Sequence, residues 1–491
     1  MRDFPVIHLP ENPSNVMGRL RMKKDTIAAI STGMTNSGIG IVRISGPEAF
    51  EVIDRIYKGK DRLLEAESHT IHYGYVKDKQ ETVDEVLVML MRAPRTFTGE
   101  DTVEINCHGG NYVVKRVLET VVRNGARPAE PGEFTKRAFL NGKMDLSQAE
   151  AVIDVITSKN EYALKSSISQ LKGSVKNKIS DIRNKIIYQT AFIETALDDP
   201  EHIDIDGYGE KLKYVIDDIL VDIRKLIDSS DSGRIMKEGI QTVIAGKPNA
   251  GKSSLLNVLS GRERAIVTDI EGTTRDALEE QIQMGGLTLN MVDTAGIRET
   301  DDIIEKMGVD KARDYVENAD LIIYVADASR PLDKNDEDII QLTAGKRCII
   351  LLNKSDLETV VTKEILQNTI ETVFEKIKNA GNYSKNIPMI DISAKEEQGI
   401  QEFEEILKTM FLKGEVSFND QVFITNIRQK AALQAACESL NKVIESIENQ
   451  MPEDFFSIDL MDAYESLGSI TGETIGEDLV NEIFSKFCMG K

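Results

Sequence analysis

One eight-residue block restricts the fold of this chain more than any other feature. Residues Gly246–Ser253 read Gly-Lys-Pro-Asn-Ala-Gly-Lys-Ser, and they lie between an apolar run, Ile240–Ala245, and a leucine-rich segment. This is the GxxxxGK[ST] pattern of a phosphate-binding loop, in which glycines let backbone N–H groups surround phosphates at a helix N-terminus. A strand, this loop and a helix in that order predict a doubly wound α/β domain with a parallel sheet.

Four further blocks follow in the order typical of a GTPase. They are Gly272-Thr273-Thr274, Asp293-Thr294-Ala295-Gly296, Asn353-Lys354-Ser355-Asp356 and Ser393-Ala394-Lys395. In the NKxD block, the Asp356 carboxylate is suited to accept hydrogen bonds from the N1–H and exocyclic amine of guanine. Adenine offers neither donor, so it would leave a buried acceptor unpaired. The sequence therefore predicts GTP as the ligand.

Each block has an expected role in GTP hydrolysis. Lys252 would neutralise the β- and γ-phosphates, Ser253 and Thr274 would supply hydroxyl ligands to Mg²⁺, Asp293 would hold the ion through water, and the Gly296 amide would sense the γ-phosphate. The predicted GTP contacts, with their neighbours, are Asn249, Ala250, Gly251, Lys252, Ser253, Ser254, Thr268, Asp269, Ile270, Glu271, Gly272, Thr273, Thr274, Asp293, Thr294, Ala295, Gly296, Asn353, Lys354, Asp356, Ser393, Ala394 and Lys395.

The residue after the third block is unusual. Ile297 stands where many GTPases carry the glutamine that orients the attacking water, so hydrolysis must be organised differently. Asn249 offers a carbonyl oxygen that could ligate a monovalent cation together with oxygens of Thr268–Thr273; alternatively, Asn249 only packs the loop. For the water, spacing does not choose among the acidic candidates Glu299, Asp301, Asp302 and Glu305.

The length of 491 residues predicts about three domains. Hydrophobic periodicity suggests a mixed α/β unit, then long amphipathic helices, then alternating strands and helices, then helices again. We predict a helical domain interrupted by the nucleotide domain, with an acidic, solvated loop at Asp198–Gly207. The predicted boundaries are a flexible extension at 1–24, an α+β domain at 25–145, a first helical segment at 146–238, the GTPase domain at 239–412 and a second helical segment at 413–491.

Within these domains, short apolar runs predict individual elements. The N-terminal strands are predicted at Ile27–Ile30, Gly40–Ile44, Val86–Leu90 and Val103–Ile105, with helices at Pro47–Tyr57 and Asn111–Arg123. The strands of the nucleotide domain are predicted at Ile240–Ala245, Leu287–Val292, Leu321–Ala326, Cys348–Leu352 and Pro388–Ile392.

Composition limits the cellular setting and the partners. The net charge of −22 disfavours non-specific nucleic-acid binding, which depends on phosphate neutralisation. The four cysteines form no CxxC pair, which argues against a disulfide framework or a structural zinc site and favours a reducing cytoplasm. No run of 18 apolar residues is present, so no membrane association is expected.

Several motifs outside the nucleotide blocks resemble the TrmE/MnmE family of tRNA-modification GTPases. The nucleotide blocks with Asn249 and the run Asp293–Arg298 share this resemblance. The other motifs are Gly38–Gly46, Phe97–Asp101, His108–Gly110, Pro131–Lys143 and the terminal Phe487–Lys491. The resemblance covers nearly the whole chain from about Asp25. It implies an N-terminal α+β folate-binding-like domain, a discontinuous helical domain and an inserted Ras-like GTPase domain.

The resemblance also implies specific site residues. The family's K⁺ ion would be held by Asn249, Thr268, Ile270 and Thr273, and Glu305 would orient the water, completing a catalytic set with Lys252, Thr274 and Gly296. The N-terminal domain would dimerise and bind 5-formyltetrahydrofolate or a related tetrahydrofolate through Arg43, Glu104, Lys143 and Lys491.

The implied task is modification of tRNA by a homodimer working with a flavin-dependent partner of the GidA/MnmG type. Together they would add a carboxymethylaminomethyl or aminomethyl group to C5 of the wobble uridine, using a one-carbon unit from tetrahydrofolate.

Alternatives remain for the folate contacts, for Cys488 and for the function of the whole protein. Arg43 and Glu104 could be an ordinary surface ion pair, and Cys488 could be a plain thiol beside Phe484 and Phe487 rather than a participant in the one-carbon chemistry. A ribosome-assembly switch of the Era or Der kind would share the nucleotide blocks. It would need a basic RNA-binding module or a second GTPase domain, and neither is evident in this acidic chain.

Overall fold

The computed structural model describes residues 25–202, 207–262, 280–291, 316–377, 387–412, 422–487 and 490. These residues group into two compact units. The first takes in the described residues of Met1–Ile156, Ser167–Ile227 and Ile427–Lys491, and the second those of Thr157–Ser166 and Asp228–Asn426. The predicted extension at 1–24 lies outside the described residues. Within the described ranges, no helix is both long enough and apolar enough to cross a membrane.

A seven-stranded sheet forms the N-terminal region of the first unit. Its strand order is β3-β4-β5-β6-β2-β1-β7, and every pair is antiparallel except β1 with β7. The strands are β1 (Ile27–Ile30), β2 (Gly40–Ser45), β3 (Tyr57–Gly59), β4 (Thr70–Asp78), β5 (Glu81–Met91), β6 (Thr102–Cys107) and β7 (Arg127–Pro128).

One face of this sheet is covered by helices α1 (Ala49–Ile56) and α2 (Asn111–Arg123). Alternate residues of the central strands point into this core, where they meet apolar side chains of both helices. The fully buried core residues include Val42, Ile44, Val88, Leu90, Ile105, Val52, Ile53, Val117 and Val121. The predicted strands β1, β2, β5 and β6 and both predicted helices are confirmed, with shifts at some ends.

Five charged residues form a mostly buried network beside β1. The guanidinium of Arg137, whose side chain is 5% exposed, contacts Glu133 Oε1 at 3.0 Å, Asp25 Oδ1 at 2.7 Å and Glu100 Oε1 at 3.2 Å. Arg127 also contacts Asp25 and Glu133. Burial raises the pKa of Glu133, but hydrogen bonds from Arg127, the Glu130 amide and Arg137 outweigh it, so the net shift is downward. The network satisfies charges that would otherwise be buried alone.

Long helices complete the first unit, as the sequence predicts. The described helices that contribute to it are α3 (Glu133–Leu140), α4 (Leu146–Thr157), α5 (Glu161–Leu171), α6 (Ser174–Asp198), α7 (Tyr208–Glu238), α12 (Ile427–Glu448), α13 (Glu453–Thr471) and α14 (Glu477–Ser485). Helix α13 packs against α12 and α6, and Phe484 of α14 packs against Phe139 of α3. The break between α6 and α7 coincides with the predicted acidic loop.

A bidentate ion pair joins the two separated segments of this helical region. Glu150 on α4 is 5% exposed, and its carboxylate oxygens lie 3.0 Å from Nε and Nη2 of Arg428 on α12. Gln429 donates a further hydrogen bond of 2.8 Å to Glu150 Oε2. A buried carboxylate is tolerated only with such partners, so α4 depends on residues 278 positions later in the chain.

The second unit contains a six-stranded sheet with the order β13-β12-β11-β8-β10-β9. Every pair is parallel except β10 with β9. The strands are β8 (Ile240–Ala245), β9 (Glu280–Met284), β10 (Leu287–Met291), β11 (Leu321–Asp327), β12 (Cys348–Asn353) and β13 (Met389–Asp391). All five predicted strands are present; β8 has the predicted bounds, and the described ends of the other four differ from the prediction by at most one residue. Strand β9 was not predicted.

Helices cover both faces of this sheet. Helices α8 (Lys252–Arg262) and α11 (Ile400–Leu412) pack on one face. Helices α9 (Lys334–Leu342) and α10 (Lys363–Glu375) pack on the other. Every residue of β11 and β12 is buried, as expected for strands covered on both sides. The predicted doubly wound α/β architecture is confirmed.

A ten-residue segment, Thr157–Ser166, groups with the second unit although its sequence neighbours belong to the first. Asn160 donates hydrogen bonds to Met236 O at 2.9 Å and to Thr288 Oγ1 at 3.1 Å. The ring of Tyr162 lies against Gly286 in the β9–β10 turn, where an added Cβ would come within 2.6 Å of it. The predicted split of the helical domain does not anticipate this attachment.

Candidate nucleotide-binding site

The phosphate-binding loop lies where β8 ends and α8 begins. Strand β8 is flanked by β10 on one side and β11 on the other, so the loop sits at the point where the strand order reverses, the usual ligand position in such sheets. Gly251 has φ of +100°, and a Cβ there would clash with the side chain of Asn353. A Cβ on Gly246 would lie only 2.4 Å from Val325 O, which is also a clash. Both positions require glycine.

Two side chains at the start of α8 fit phosphate and metal chemistry. Lys252 Nζ donates to the carbonyl oxygens of Gly246 at 2.7 Å and Lys247 at 2.8 Å, so its ammonium lies against the loop. Ser253 follows it in the first helical turn, where a hydroxyl is a suitable hard ligand for Mg²⁺. Ser254 is the next residue of this turn.

Asn353 at the end of β12 joins three predicted loops. Its side chain is buried; Nδ2 donates to Ala250 O at 2.8 Å and Oδ1 accepts from the Ala394 amide at 3.0 Å. The phosphate-binding loop, the NKxD block and the Ser393–Lys395 block are therefore held in one arrangement. The sequence places these blocks in order, and the structure brings them together.

Asp356 is positioned as an ionised hydrogen-bond acceptor. Ser393 Oγ donates to Asp356 Oδ1 at 2.7 Å, and this hydrogen bond is the main reason why the pKa of Asp356 lies below its ordinary value. Lys354, with a left-handed backbone at φ +67°, directs its ammonium to Asp327 Oδ2 at 2.6 Å. This Asp327 contact was not predicted, although the aspartate is the last residue of the apolar strand β11, at the sheet edge where functional side chains gather.

Asn249 is exposed and has φ of +63°. Its side chain makes no hydrogen bond with the described residues. Its carbonyl oxygen therefore has no hydrogen-bond donor among the described residues, and both interpretations of Asn249, cation ligand and loop packing, stay predictions.

Much of the predicted catalytic apparatus lies outside the described residues. This applies to Ile297, to the unselected candidates Glu299, Asp301 and Asp302, and to Thr268, Asp269, Ile270, Glu271, Gly272, Thr273, Thr274, Asp293, Thr294, Ala295, Gly296 and Glu305. Their roles stay predictions. The described strands β9 and β10 lie between these segments in the chain.

Three of the four predicted folate contacts are described. Arg43 and Glu104 face each other across the β2–β6 pair, and Arg43 Nε donates to Glu104 Oε1 at 2.8 Å. Their side chains are only 14% and 17% exposed, so this is not an ordinary surface ion pair. Lys143 instead donates to Pro94 O at 3.0 Å, and Lys491 and Cys488 lie outside the described residues.

The surroundings of Arg43 are aromatic and include the end of the described chain. Its guanidinium carbon lies 5.8 Å from the ring centre of Phe97 and 5.7 Å from that of Phe134. Gly490 O accepts from Arg43 Nη1 at 3.3 Å and from Ser31 Oγ at 3.1 Å. Arg43, Glu104 and Gly490 thus converge on one partly buried polar site.

Comparison with known proteins extends over both units. A family model described as "MnmE helical domain" matches residues 146–488, and one described as "GTP-binding protein TrmE N-terminus" matches residues 26–143. The chain is 56% identical to "tRNA modification GTPase MnmE" of Lachnoclostridium phytofermentans, over 96% of this chain and 100% of that protein.

Two further comparisons give the range of similarity. The protein of the same name from Acetivibrio thermocellus is 49% identical, again over 96% of this chain and 100% of the relative. Among solved structures, the G domain of the T. maritima FeoB iron transporter is 25% identical over 35% of this chain and 98% of that one. Its TM-score of 0.25 is too low to support a structural argument.

Proposed function

Because this chain belongs to the MnmE family of tRNA modification GTPases, we propose that it hydrolyses GTP to support modification of the wobble uridine of certain tRNAs. The product would carry a carboxymethylaminomethyl or aminomethyl group at C5. We propose that the protein acts in the cytoplasm as a homodimer, together with tRNA and a flavin-dependent partner of the GidA/MnmG type. The relatives are named for tRNA modification and GTP hydrolysis. The flavin-dependent partner and the identity of the C5 group are part of the proposal.

The observation that carries this proposal is the Asn353 side chain. It connects the phosphate-binding loop to both guanine-recognition blocks through two hydrogen bonds of 2.8 and 3.0 Å. GTP would lie across these blocks, with Asp356 and the backbone of Ser393–Lys395 at the base and Asn249–Ser254 at the phosphates. Mg²⁺ would be held by Ser253 and Thr274, where it would offset charge on the β- and γ-phosphates.

We propose that a bound K⁺ supplies, beside the phosphates, the positive charge that an arginine finger provides in many GTPases. Asn249 would be one ligand, with Thr268, Ile270 and Thr273 as the others. The exposure of Asn249, and the absence of a hydrogen bond from its side chain to the described residues, support this assignment. Glu305 would orient the attacking water, with Lys252, Thr274 and the Gly296 amide stabilising the transition state.

We propose the site around Arg43 as the folate site. The guanidinium suits the anionic tail of 5-formyltetrahydrofolate, Glu104 could accept from the amino edge of the pterin, and Phe97 offers an aromatic surface. Lys143 and Lys491 would add positive charge. The folate would supply the one-carbon unit.

The domain boundaries belong to the same proposal. Residues 25–145 would dimerise and bind folate, residues 239–412 would form the GTPase domain, and residues 146–238 and 413–491 would form the divided helical domain. No observation favours the Era/Der alternative, because the family matches cover 26–143 and 146–488.

The decisive experiment is nucleoside analysis of tRNA from a strain lacking the gene. The C5-modified wobble uridine should disappear and return when the wild-type gene is supplied. A variant with Asp356→Asn, which weakens guanine recognition, should fail to restore it. Unchanged nucleosides in the deletion strain would refute the proposed task.

A further inference from the structure

Two lysines of the nucleotide loops are held by carboxylates of one neighbouring segment. This segment, residues 327–336, runs from the end of β11 into the first turn of α9, and we call it the anchor loop. At one end, Asp327 Oδ2 lies 2.6 Å from Nζ of Lys354 in the NKxD block. At the other, Asp336 Oδ2 lies 2.7 Å from Nζ of Lys247 in the phosphate-binding loop. The NKxD block and the phosphate-binding loop are thus both ion-paired to the anchor loop.

The carboxylate at the base end is itself fixed. Asp327 Oδ1 accepts from the backbone amide of Ser329 at 3.0 Å and from its hydroxyl at 2.6 Å. The Ala328 amide donates to Asn353 O at 2.9 Å, so the loop is also bonded to the strand that carries the NKxD block. Asp327 therefore has little freedom to follow Lys354, and Lys354 is the group that is positioned.

The carboxylate at the phosphate end is held more firmly. Asp336 is 1% exposed; its Oδ1 accepts from the hydroxyl of the fully buried Tyr324 at 2.8 Å, and its Oδ2 accepts from the Asp333 amide at 2.8 Å. Asp333 also contacts Lys247 Nζ, at 2.9 Å, and caps α9. A buried carboxylate with three donors provides a stable support for the mobile end of a lysine.

Each held lysine controls a group that GTP would contact. Lys247 supplies a carbonyl that accepts from Lys252 Nζ at 2.8 Å, so its placement affects the phosphate-binding lysine. Lys354 lies between Asn353 and Asp356 in the chain and has a left-handed backbone, which is unfavourable for a non-glycine residue. Its ion pair with Asp327 helps to hold that conformation, and with it the position of Asp356.

We propose that Asp327 and Asp336 are positioning residues for nucleotide binding, acting through Lys354 on guanine recognition and through Lys247 on phosphate binding. The inference rests on the proposed GTP site and assigns residues to it that the sequence motifs do not include. The two ends have different consequences. Loss of the ion pair of Lys354 weakens discrimination between bases. Loss of the ion pair of Lys247 weakens the binding of all nucleotides equally.

The test uses full-length protein and competition of GDP and IDP against a fluorescent GDP analogue. IDP lacks the exocyclic amine of guanine, so the ratio of its Kd to that of GDP reports contacts at Asp356. We expect Asp327→Asn to raise the Kd for GDP about tenfold, equivalent to about 1.4 kcal/mol, and to bring the IDP/GDP ratio closer to one. We expect Asp336→Asn to raise both Kd values and leave the ratio unchanged.

A double-mutant cycle separates positioning from general destabilisation. If Asp327 acts through Lys354, then Asp327→Asn should cause no further loss in the Lys354→Met background. Additive losses, or an unchanged IDP/GDP ratio in Asp327→Asn, would overturn the inference. Ser329→Ala is a milder variant that removes one donor from Asp327. It should produce a smaller change of the same kind even if Asp327→Asn folds poorly.

Asp320→Asn is the matched control. Asp320 forms a comparable ion pair with Arg234, at 2.6 Å, just before the other end of β11. Loss of that pair should leave both Kd values unchanged, and a fall in the ratio would refute the assignment to the anchor loop. If wild-type protein binds GDP and prefers it to IDP while Asp327→Asn behaves identically, this inference alone fails. If wild-type protein does not bind GDP, the proposed function fails with it.

Discussion

The charged network around Arg137 gives a sharp test of what stabilises the N-terminal sheet. Replacing Arg137 with Met retains the aliphatic stem but removes every hydrogen bond that Arg137 donates to Asp25, Glu100 and Glu133. Glu133, only 9% exposed in its side chain, would keep its contact with Arg127 but lose one of its two arginines. Removing one partner of a buried ion pair costs about 3–5 kcal/mol. Retention of Arg127 places our expectation at the lower end, about 3 kcal/mol.

Cys107 provides a local probe of this unit. It lies buried in β6, and burial raises the pKa of its thiol to about 11, so it should react only when the sheet opens. With an m-value of about 1.5 kcal/mol per molar urea, a loss of about 3 kcal/mol lowers the midpoint of Cys107 protection by about 2 M. Arg62→Met is the control, because Arg62 is 82% exposed and its pairing with Glu65 should contribute little.

A midpoint shift below about 0.5 M in Arg137→Met would refute this reasoning. An equal shift in Arg62→Met would do the same, since it would show that exposed and buried pairs of this sheet contribute alike. The comparison is made above pH 6, where Asp25 and Glu133 are ionised. The pKa values of both are lowered in the folded state, so their contribution is present above their unfolded values of about 4 and is lost at lower pH.

Four further predictions concern the proposed sites and one histidine. GTP hydrolysis should be faster in K⁺ than in Na⁺ at equal ionic strength, and Asn249→Ala should abolish the difference; equal wild-type rates would rule out the cation mechanism. Glu305→Ala should lower kcat about 100-fold with little change in the Kd for GTP, whereas a large loss of binding would make Glu305 structural. Calorimetry should show 5-formyltetrahydrofolate binding that weakens about 30-fold in Arg43→Met, equivalent to about 2 kcal/mol; no binding to intact wild-type dimer would exclude the folate site. The pKa of His108, raised by its hydrogen bond with Asp84, should fall toward its ordinary value in Asp84→Asn when followed by NMR; because the shift is upward, any stability it adds is present at low pH and lost as the pH rises through that pKa.

The parallel strands were predictable because their environment is simple. Strands β11 and β12 are buried on both faces, so their residues form continuous apolar runs that are visible in the sequence. Strand β4 was not predicted because its large apolar and aromatic side chains lie on the exposed face, the reverse of the usual alternation in a half-buried strand. Its core-facing positions include Gly74 and Val76, while the larger side chains of Ile71, Tyr73 and Tyr75 are exposed.

The nucleotide-binding site, like the fold, was predictable from the sequence only in part. The loops with fixed spacing, Gly246–Ser253 and Asn353–Asp356, were recognised from sequence because their chemistry requires particular residues at particular positions. The contacts of Lys354 with Asp327 and of Lys247 with Asp336 were not predicted from the sequence. They join residues 27 and 89 positions apart and depend on tertiary structure. Arg137 was noted only within a family motif. Its partners Asp25 and Glu100 lie 112 and 37 positions away in the sequence and are close only in the folded sheet.

The Glu150–Arg428 pair has a consequence for the order in which the chain can assemble during translation. At about 5–20 residues per second, Arg428 is synthesised roughly 14–56 s after Glu150, because 278 residues separate them. Until then the carboxylate has no guanidinium partner, and burying it in a helical core would be unfavourable. Helix α4 therefore cannot complete its packing until α12 has been synthesised. A ribosome stalled just before Arg428 would hold an open helical region, even where β8 to β13 had already folded.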